Sequence, residues 1–169
     1  MAEGEVMEIE LEQLAERIAL LLLARGEFVA TAESCTGGWV AQTLTSIPGS
    51  SMWFERGLVT YSNESKQALL GVSSATLAST GAVSVTTVSE MAAGLLAASP
   101  ADWALAISGI AGPGGSVPGK PVGYVCFAWT HRGSIPETED TVFPGDRRQV
   151  RAQSVRHGLR GLIARLEAA

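Results

Sequence analysis

A chain of 169 residues and 17.6 kDa is one domain's worth of sequence, long enough to bury a substantial core and short for two. With 46% hydrophobic residues, 17% charged residues and a mean hydropathy of +0.21, it is far from the composition of a disordered chain. A net charge of −5 excludes a general nucleic-acid binder, which needs a cationic face.

After a short polar start, residues 1–7, expected to be unordered, the apolar positions Leu11, Leu14, Ile18, Leu21 and Leu22 recur at helical spacing up to Arg25-Gly26. Phe28 to Ala32 reads as a buried strand that runs straight into Glu33-Ser34-Cys35-Thr36-Gly37-Gly38 and a helix from Trp39 to Ile47. Pro48-Gly49-Ser50-Ser51 breaks that helix, Gly57 to Tyr61 reads as a strand, and Glu64 to Leu70 as a short helix. Thr86 to Ala98 is a further helix, followed by the apolar strand Trp103 to Ser108 and the glycine-rich loop Gly109 to Ser116. Val122 to Trp129 and Glu139 to Phe143 read as a hairpin around His131-Arg132-Gly133. A last helix starts at Asp146, with Val155, Leu159, Leu162, Ile163 and Leu166 on its apolar face. The fold class expected is α/β: a single three-layer domain over residues 1–169, with helices on both faces of a mixed sheet.

No apolar run approaches the length of a membrane span, and two cysteines 91 positions apart without an export signal fit free thiols in the cytoplasm. Of the 12 cations ten are arginine and two, Lys66 and Lys120, are lysine, which narrows any amine base to these side chains or the α-amino group. Four-ligand zinc would need His131, His157, Cys35 and Cys126 together, and none stands at a paired ligand spacing. A lightly charged surface suits a homo-oligomer.

Four segments could carry chemistry. The turn Ser34 to Gly38 opens a helix and reads either as an anion site or as an N-cap with close helix packing. Ser51, Tyr61 and Lys66 fall within 16 residues, which suits a serine nucleophile with a lysine base, although a first-turn lysine is ordinarily a solvated one. Fifteen residues can span roughly 50 Å when extended, so Ser51 and Lys66 meet only if the chain turns back or another subunit contributes. In the loop Ser108 to Val122, backbone amides and Lys120 could approach a ligand, or the loop is a mobile connection. Arg147 and Arg148 in the first turn of the last helix oppose its dipole, which makes sense if an anion is bound there; the alternative is an exposed pair facing the acidic first helix.

Ala32-Glu33-Ser34-Cys35-Thr36-Gly37-Gly38, Pro-Gly-Ser-Ser-x-Trp-Phe at 48–54, Gly-Leu-Val-Thr-Tyr-Ser-Asn at 57–63, Gly81-Ala-Val-Ser84, Ser108-Gly-Ile-Ala-Gly-Pro113, Lys120-Pro-Val-Gly123 and Gly145-Asp-Arg147 follow one another in order. Together they resemble the C-terminal domain of the CinA proteins, a family that also occurs as a stand-alone nicotinamide mononucleotide deamidase. The resemblance implies an amidohydrolase that converts nicotinamide mononucleotide to nicotinate mononucleotide and ammonia, with no metal and no cofactor, and without nucleic acid or membrane as partner. It assigns Ser51 as nucleophile with Tyr61 and Lys66 as its activating partners. Ser34, Thr36 and Gly37 then line the site with Ser108 and Gly112, and Arg147 binds substrate. Ser108 stands where many relatives carry threonine. The competing expectation is a non-catalytic nucleotide- or phosphate-binding module of a larger assembly, and a purely structural oligomerisation role is third.

Overall fold

The computed structural model describes residues 3–169, with side chains from residue 4. Six helices and five strands follow in the order α1 (Glu3–Arg25), β1 (Val29–Glu33), α2 (Trp39–Thr45), β2 (Phe54–Val59), α3 (Asn63–Leu70), α4 (Ser74–Thr80), α5 (Val85–Ala97), β3 (Trp103–Gly109), β4 (Tyr124–His131), β5 (Glu137–Val142) and α6 (Arg147–Ala168). A 3-10 turn, Ser50–Met52, precedes β2. Residues 3–7, expected to be unordered, form the first turns of α1, while Met1 and Ala2 lie outside the described residues.

The sheet order is β2-β1-β3-β4-β5, with β1 parallel to both β2 and β3 and the β3, β4 and β5 pairs antiparallel. This is the expected mixed sheet with helices on both faces. Side-chain alternation gives the two faces different characters. One presents Leu105, Ile107, Val125, Phe127 and Trp129 to α1, α2 and α6. The other presents Ala30, Ala32, Ala104, Ala106, Cys126 and Ala128, and Val88, Met91 and Leu95 of α5 pack onto this shallow surface. On the large-residue face α6 admits the Trp129 ring only because it carries glycine there. A Cβ on Gly161 would stand 2.3 Å from Trp129 Cζ2.

The connections locate a crevice. From β1 the chain passes through α2 to β2 on one side; from β2 it returns through α3, α4 and α5 to β3 on the other side of β1. The crevice outside the carboxyl ends of β1 and β3 is the topological switch point at which open α/β sheets bind ligands. The residues that follow β1, β2 and β3 are the Ser34 turn, Thr60-Tyr61 and the glycine-rich loop.

Candidate active site

Lys66 lies in α3 just after the carboxyl end of β2. Ser62 caps the helix by accepting the Ser65 N–H at 3.0 Å, and the lysine that follows in the first turn points inward rather than to solvent, at 1% exposure. Its Nζ lies 2.7 Å from the Thr60 carbonyl, 3.5 Å from the Tyr61 carbonyl and 3.1 Å from Ser34 Oγ. No ion pair among the described residues involves Lys66. Burial without a carboxylate partner disfavours the ammonium and pulls the lysine pKa below its usual value. Nζ donates to the two carbonyls and to Ser34 Oγ, and on losing its proton the amine keeps two N–H groups for the carbonyls and gains a lone pair facing the Ser34 hydroxyl.

Ser34 follows β1 directly, and its own N–H is taken by the Ile107 carbonyl of β3 at 3.0 Å. The hydroxyl is thus anchored between two strands and aimed at α3. The neighbouring thiol of Cys35 is buried, and burial pushes its pKa up to about 12, so it is a protonated packing group and no competitor as nucleophile. Beyond the serine, Gly37 and Gly38 adopt φ of 61° and 96°, the left-handed backbone that lets the chain reverse into α2.

The start of α2 is occupied by the chain's own carboxylate. Glu33, 1% exposed, accepts the N–H groups of Val40 at 2.8 Å and Ala41 at 3.0 Å. This resolves the two readings of the turn in favour of capping at those amides, because an external anion would have to displace a buried side chain. From α6, Arg151 donates to the carbonyls of Cys35 and Thr36, both at 3.0 Å, and its guanidinium lies 5.5 Å from the Trp39 ring centroid.

The model of the CinA C-terminal domain matches residues 11–166. The chain belongs to the CinA C-terminal domain family. A relative from Escherichia coli K12, nicotinamide-nucleotide amidohydrolase PncC, is 54% identical over 153 residues, covering 90% of this chain and 93% of its own. A protein of the same name from Pseudomonas putida is 49% identical over 150 residues, with 89% and 93% covered. Among solved structures, a competence damage-inducible protein from Klebsiella pneumoniae superposes with a TM-score of 0.90 at 43% identity, covering 93% of this chain and 97% of that one. One from Agrobacterium tumefaciens gives 0.90 at 44% identity, with 94% and 96% covered.

In this CinA domain the residues expected to form the site separate into those that converge and those that do not. Ser34, Lys66 and Tyr61 share one end of the sheet. Tyr61 is 60% exposed, and its hydroxyl accepts from Arg147 Nη2 at 2.9 Å while Arg147 Nη1 donates to the Gly112 carbonyl at 2.8 Å. Arg147 therefore ties the end of β2 to the glycine-rich loop. Ser108, 1% exposed, donates to the Ala82 carbonyl at 2.7 Å and so holds the segment before α5. Lys120 similarly donates to the Thr80 carbonyl at 2.6 Å, which pins a loop expected to be either mobile or ligand-contacting. Thr36 is wholly buried, and its hydroxyl has no hydrogen-bond partner among the described residues.

Ser51 does not meet Lys66 within one chain. It lies exposed in the 3-10 turn before β2, whereas Lys66 follows the opposite end, and six residues of strand at about 3.3 Å each put roughly 20 Å between them. The serine that contacts the lysine is Ser34. Two further contributors escaped the sequence reading. The buried Glu33 was visible only as part of the family motif, and Arg151 stands four positions after Arg147, on the same helix face.

Proposed function

We propose that this chain is a nicotinamide-nucleotide amidohydrolase that hydrolyses the carboxamide of nicotinamide mononucleotide through a Ser34–Lys66 pair, without a metal. Two relatives named for that activity at 54% and 49% identity support the reaction, and the single observation that carries the pair is the 3.1 Å contact between Lys66 Nζ and Ser34 Oγ. Neutral Lys66 accepts the Ser34 proton as Oγ attacks the carboxamide carbon. The carbonyl electron pair moves onto oxygen and is held by backbone N–H groups of the Ser34–Gly38 turn. When it returns, the C–N bond breaks and the nitrogen leaves as ammonia with the proton stored on Lys66. A water, giving its proton to the same amine, hydrolyses the ester to nicotinate mononucleotide and frees Ser34.

Tyr61 lies over the same end of the sheet and helps to shape the entrance, and Arg147, a cation beside it, binds the substrate's phosphate. The reaction takes place in the cytoplasm, which suits two free cysteines, and no helix among the described residues is long and apolar enough to cross a membrane. The enzyme works as a homo-oligomer. β2 is an edge strand, with exposed Met52 just before it and exposed Val59 as its last residue. Antiparallel pairing of two β2 strands about a twofold through their middle would bring Ser51 of one copy to the Lys66 end of the other, which gives Ser51 a place beside the substrate that its own chain does not.

Incubation with nicotinamide mononucleotide should release one ammonia per nicotinate mononucleotide formed, in the presence of a chelator. Saturable binding of the nucleotide without ammonia release would overturn the enzyme reading in favour of a binding module.

A further inference from the structure

The turn that carries Ser34 has little to hold it from within. Two of its five residues are glycines with positive φ, and no side chain caps α2 from position 38. It is held from outside by two charged groups. Glu33 fixes its far end through the amides of Val40 and Ala41, and Arg151, 116 positions away in sequence from Cys35, grips its middle.

The grip has a definite geometric consequence. In a trans peptide the C=O of one residue and the N–H of the next point in opposite directions. Arg151 Nε draws the Cys35 carbonyl toward α6, so the Thr36 N–H must point away from α6; Nη2 draws the Thr36 carbonyl the same way, and the Gly37 N–H turns back to the Ser34 carbonyl at 3.1 Å. The Cys35 N–H lies against its own thiol sulfur, and the Thr36 N–H makes no hydrogen bond among the described residues. A cation–π contact with Trp39, in the first turn of α2, with the guanidinium 5.5 Å from the ring centroid, adds to the hold on this arrangement.

We infer that Arg151 is a positioning residue: by holding the Cys35–Thr36 and Thr36–Gly37 peptide planes it keeps the serine turn in the arrangement that leaves the Thr36 N–H, turned away from α6, free for the oxyanion. The inference rests on Ser34 being the nucleophile. Arg151 itself touches no reacting atom. A lysine at 151 keeps the charge but replaces the two nitrogens that Arg151 sets 3.0 Å from the two carbonyls with one nitrogen on a flexible stem, which holds the two planes less rigidly.

The test is R151K, measured by steady-state ammonia release and by hydrogen exchange of the peptide covering residues 34–38. Misalignment of an oxyanion donor should lower kcat by about 10- to 100-fold with KM within about twofold of wild type. Exchange should rise in the 34–38 peptide while α6 and the sheet keep wild-type protection. Wild-type kcat would overturn the inference, and so would a kcat loss accompanied by general loss of protection or by an unchanged turn. If the wild-type protein releases no ammonia, the amidohydrolase reading falls by itself. Arg151 is then judged on the exchange of the turn alone: a rise supports its hold on the turn, and wild-type exchange overturns it.

Discussion

Replacing Lys66 with methionine separates the cost of losing the base from the cost of disturbing the fold. The two side chains have similar length, and Lys66 is buried at 1% exposure, so the thioether fills the same space. What disappears is the amine that contacts Ser34 Oγ, Thr60 O and Tyr61 O. For stability the terms oppose one another. The Thr60 carbonyl loses a 2.7 Å partner, at about 1–3 kcal/mol for a buried unsatisfied group, while removing a desolvated amine relieves a penalty of similar size. The denaturant midpoint of K66M should therefore correspond to a stability within about 2 kcal/mol of wild type. Catalysis has no such offset. Without the amine, Ser34 must lose its proton to water and ammonia must leave without a positioned acid, and general acid–base catalysis contributes about 10²–10⁴ in rate. Ammonia release, followed at saturating nicotinamide mononucleotide beside a urea melt of the same preparation, should fall by at least about 100-fold with the fold retained. A folded K66M variant keeping more than a tenth of wild-type turnover would refute the role given to Lys66.

The other predictions read different parts of the structure. The rate should climb with pH as Lys66 loses its proton and level off below the ordinary lysine pKa of 10.5, since burial lowers the folded-state value. For folding the sign is the same: between the lowered native pKa and the unfolded one the unfolded chain binds more protons, so this group's contribution to stability rises with pH over that window. A pH–rate profile flat from pH 6 to pH 10 would contradict the assignment. Iodoacetamide at pH 8 should leave Cys35 unmodified and activity intact, because its thiol titrates at about 12, and rapid inactivation traced to Cys35 by mass spectrometry would refute that burial argument. G161A should destabilise the fold by about 1–3 kcal/mol even though alanine favours helix, because its Cβ meets the buried Trp129 ring, and a raised melting temperature would show that the ring can move aside. If Ser51 serves the site of a second copy, mixing inactive S51A and K66M proteins should restore part of the activity through one intact site per mixed dimer; no recovery after confirmed subunit exchange would remove Ser51 from the neighbouring site.

The sequence is most informative where a segment's burial is uniform. Strands β1, β3 and β4 read correctly because they are buried on both faces, and their near-continuous apolar runs have no other use. Edge strand β2 begins three residues before the expected start, with Glu55 and Arg56 ion-paired to each other in the half-buried stretch that the apolar pattern passes over. Helix α4, made of Ser, Ala and Thr around a single leucine, Leu77, with no fully buried residue, is too sparse in apolar positions to give a periodic signal. In the site, lysine scarcity and the family motifs single out Lys66, but its partner depends on strand order. Because β1 and β2 are parallel neighbours, the residues after their carboxyl ends converge, so Lys66 meets Ser34 across 32 positions while Ser51, only 15 positions away, stays a strand's length off. Proximity in sequence misleads there because β2 runs between the two residues. Arg151 needs still more of the fold, since its reach to Cys35 and Thr36 exists only once α6 packs on the sheet beside α2.

The measurement closest to the centre of this account is ammonia release from nicotinamide mononucleotide by S34A beside wild type at the pH of maximal rate. Removal of the attacking oxygen should leave turnover at least about 10³-fold below wild type in a protein whose melting temperature is little changed, because nucleophile and base act as one unit. Turnover by S34A comparable to wild type would contradict it, and would return the search for the nucleophile to the far end of β2.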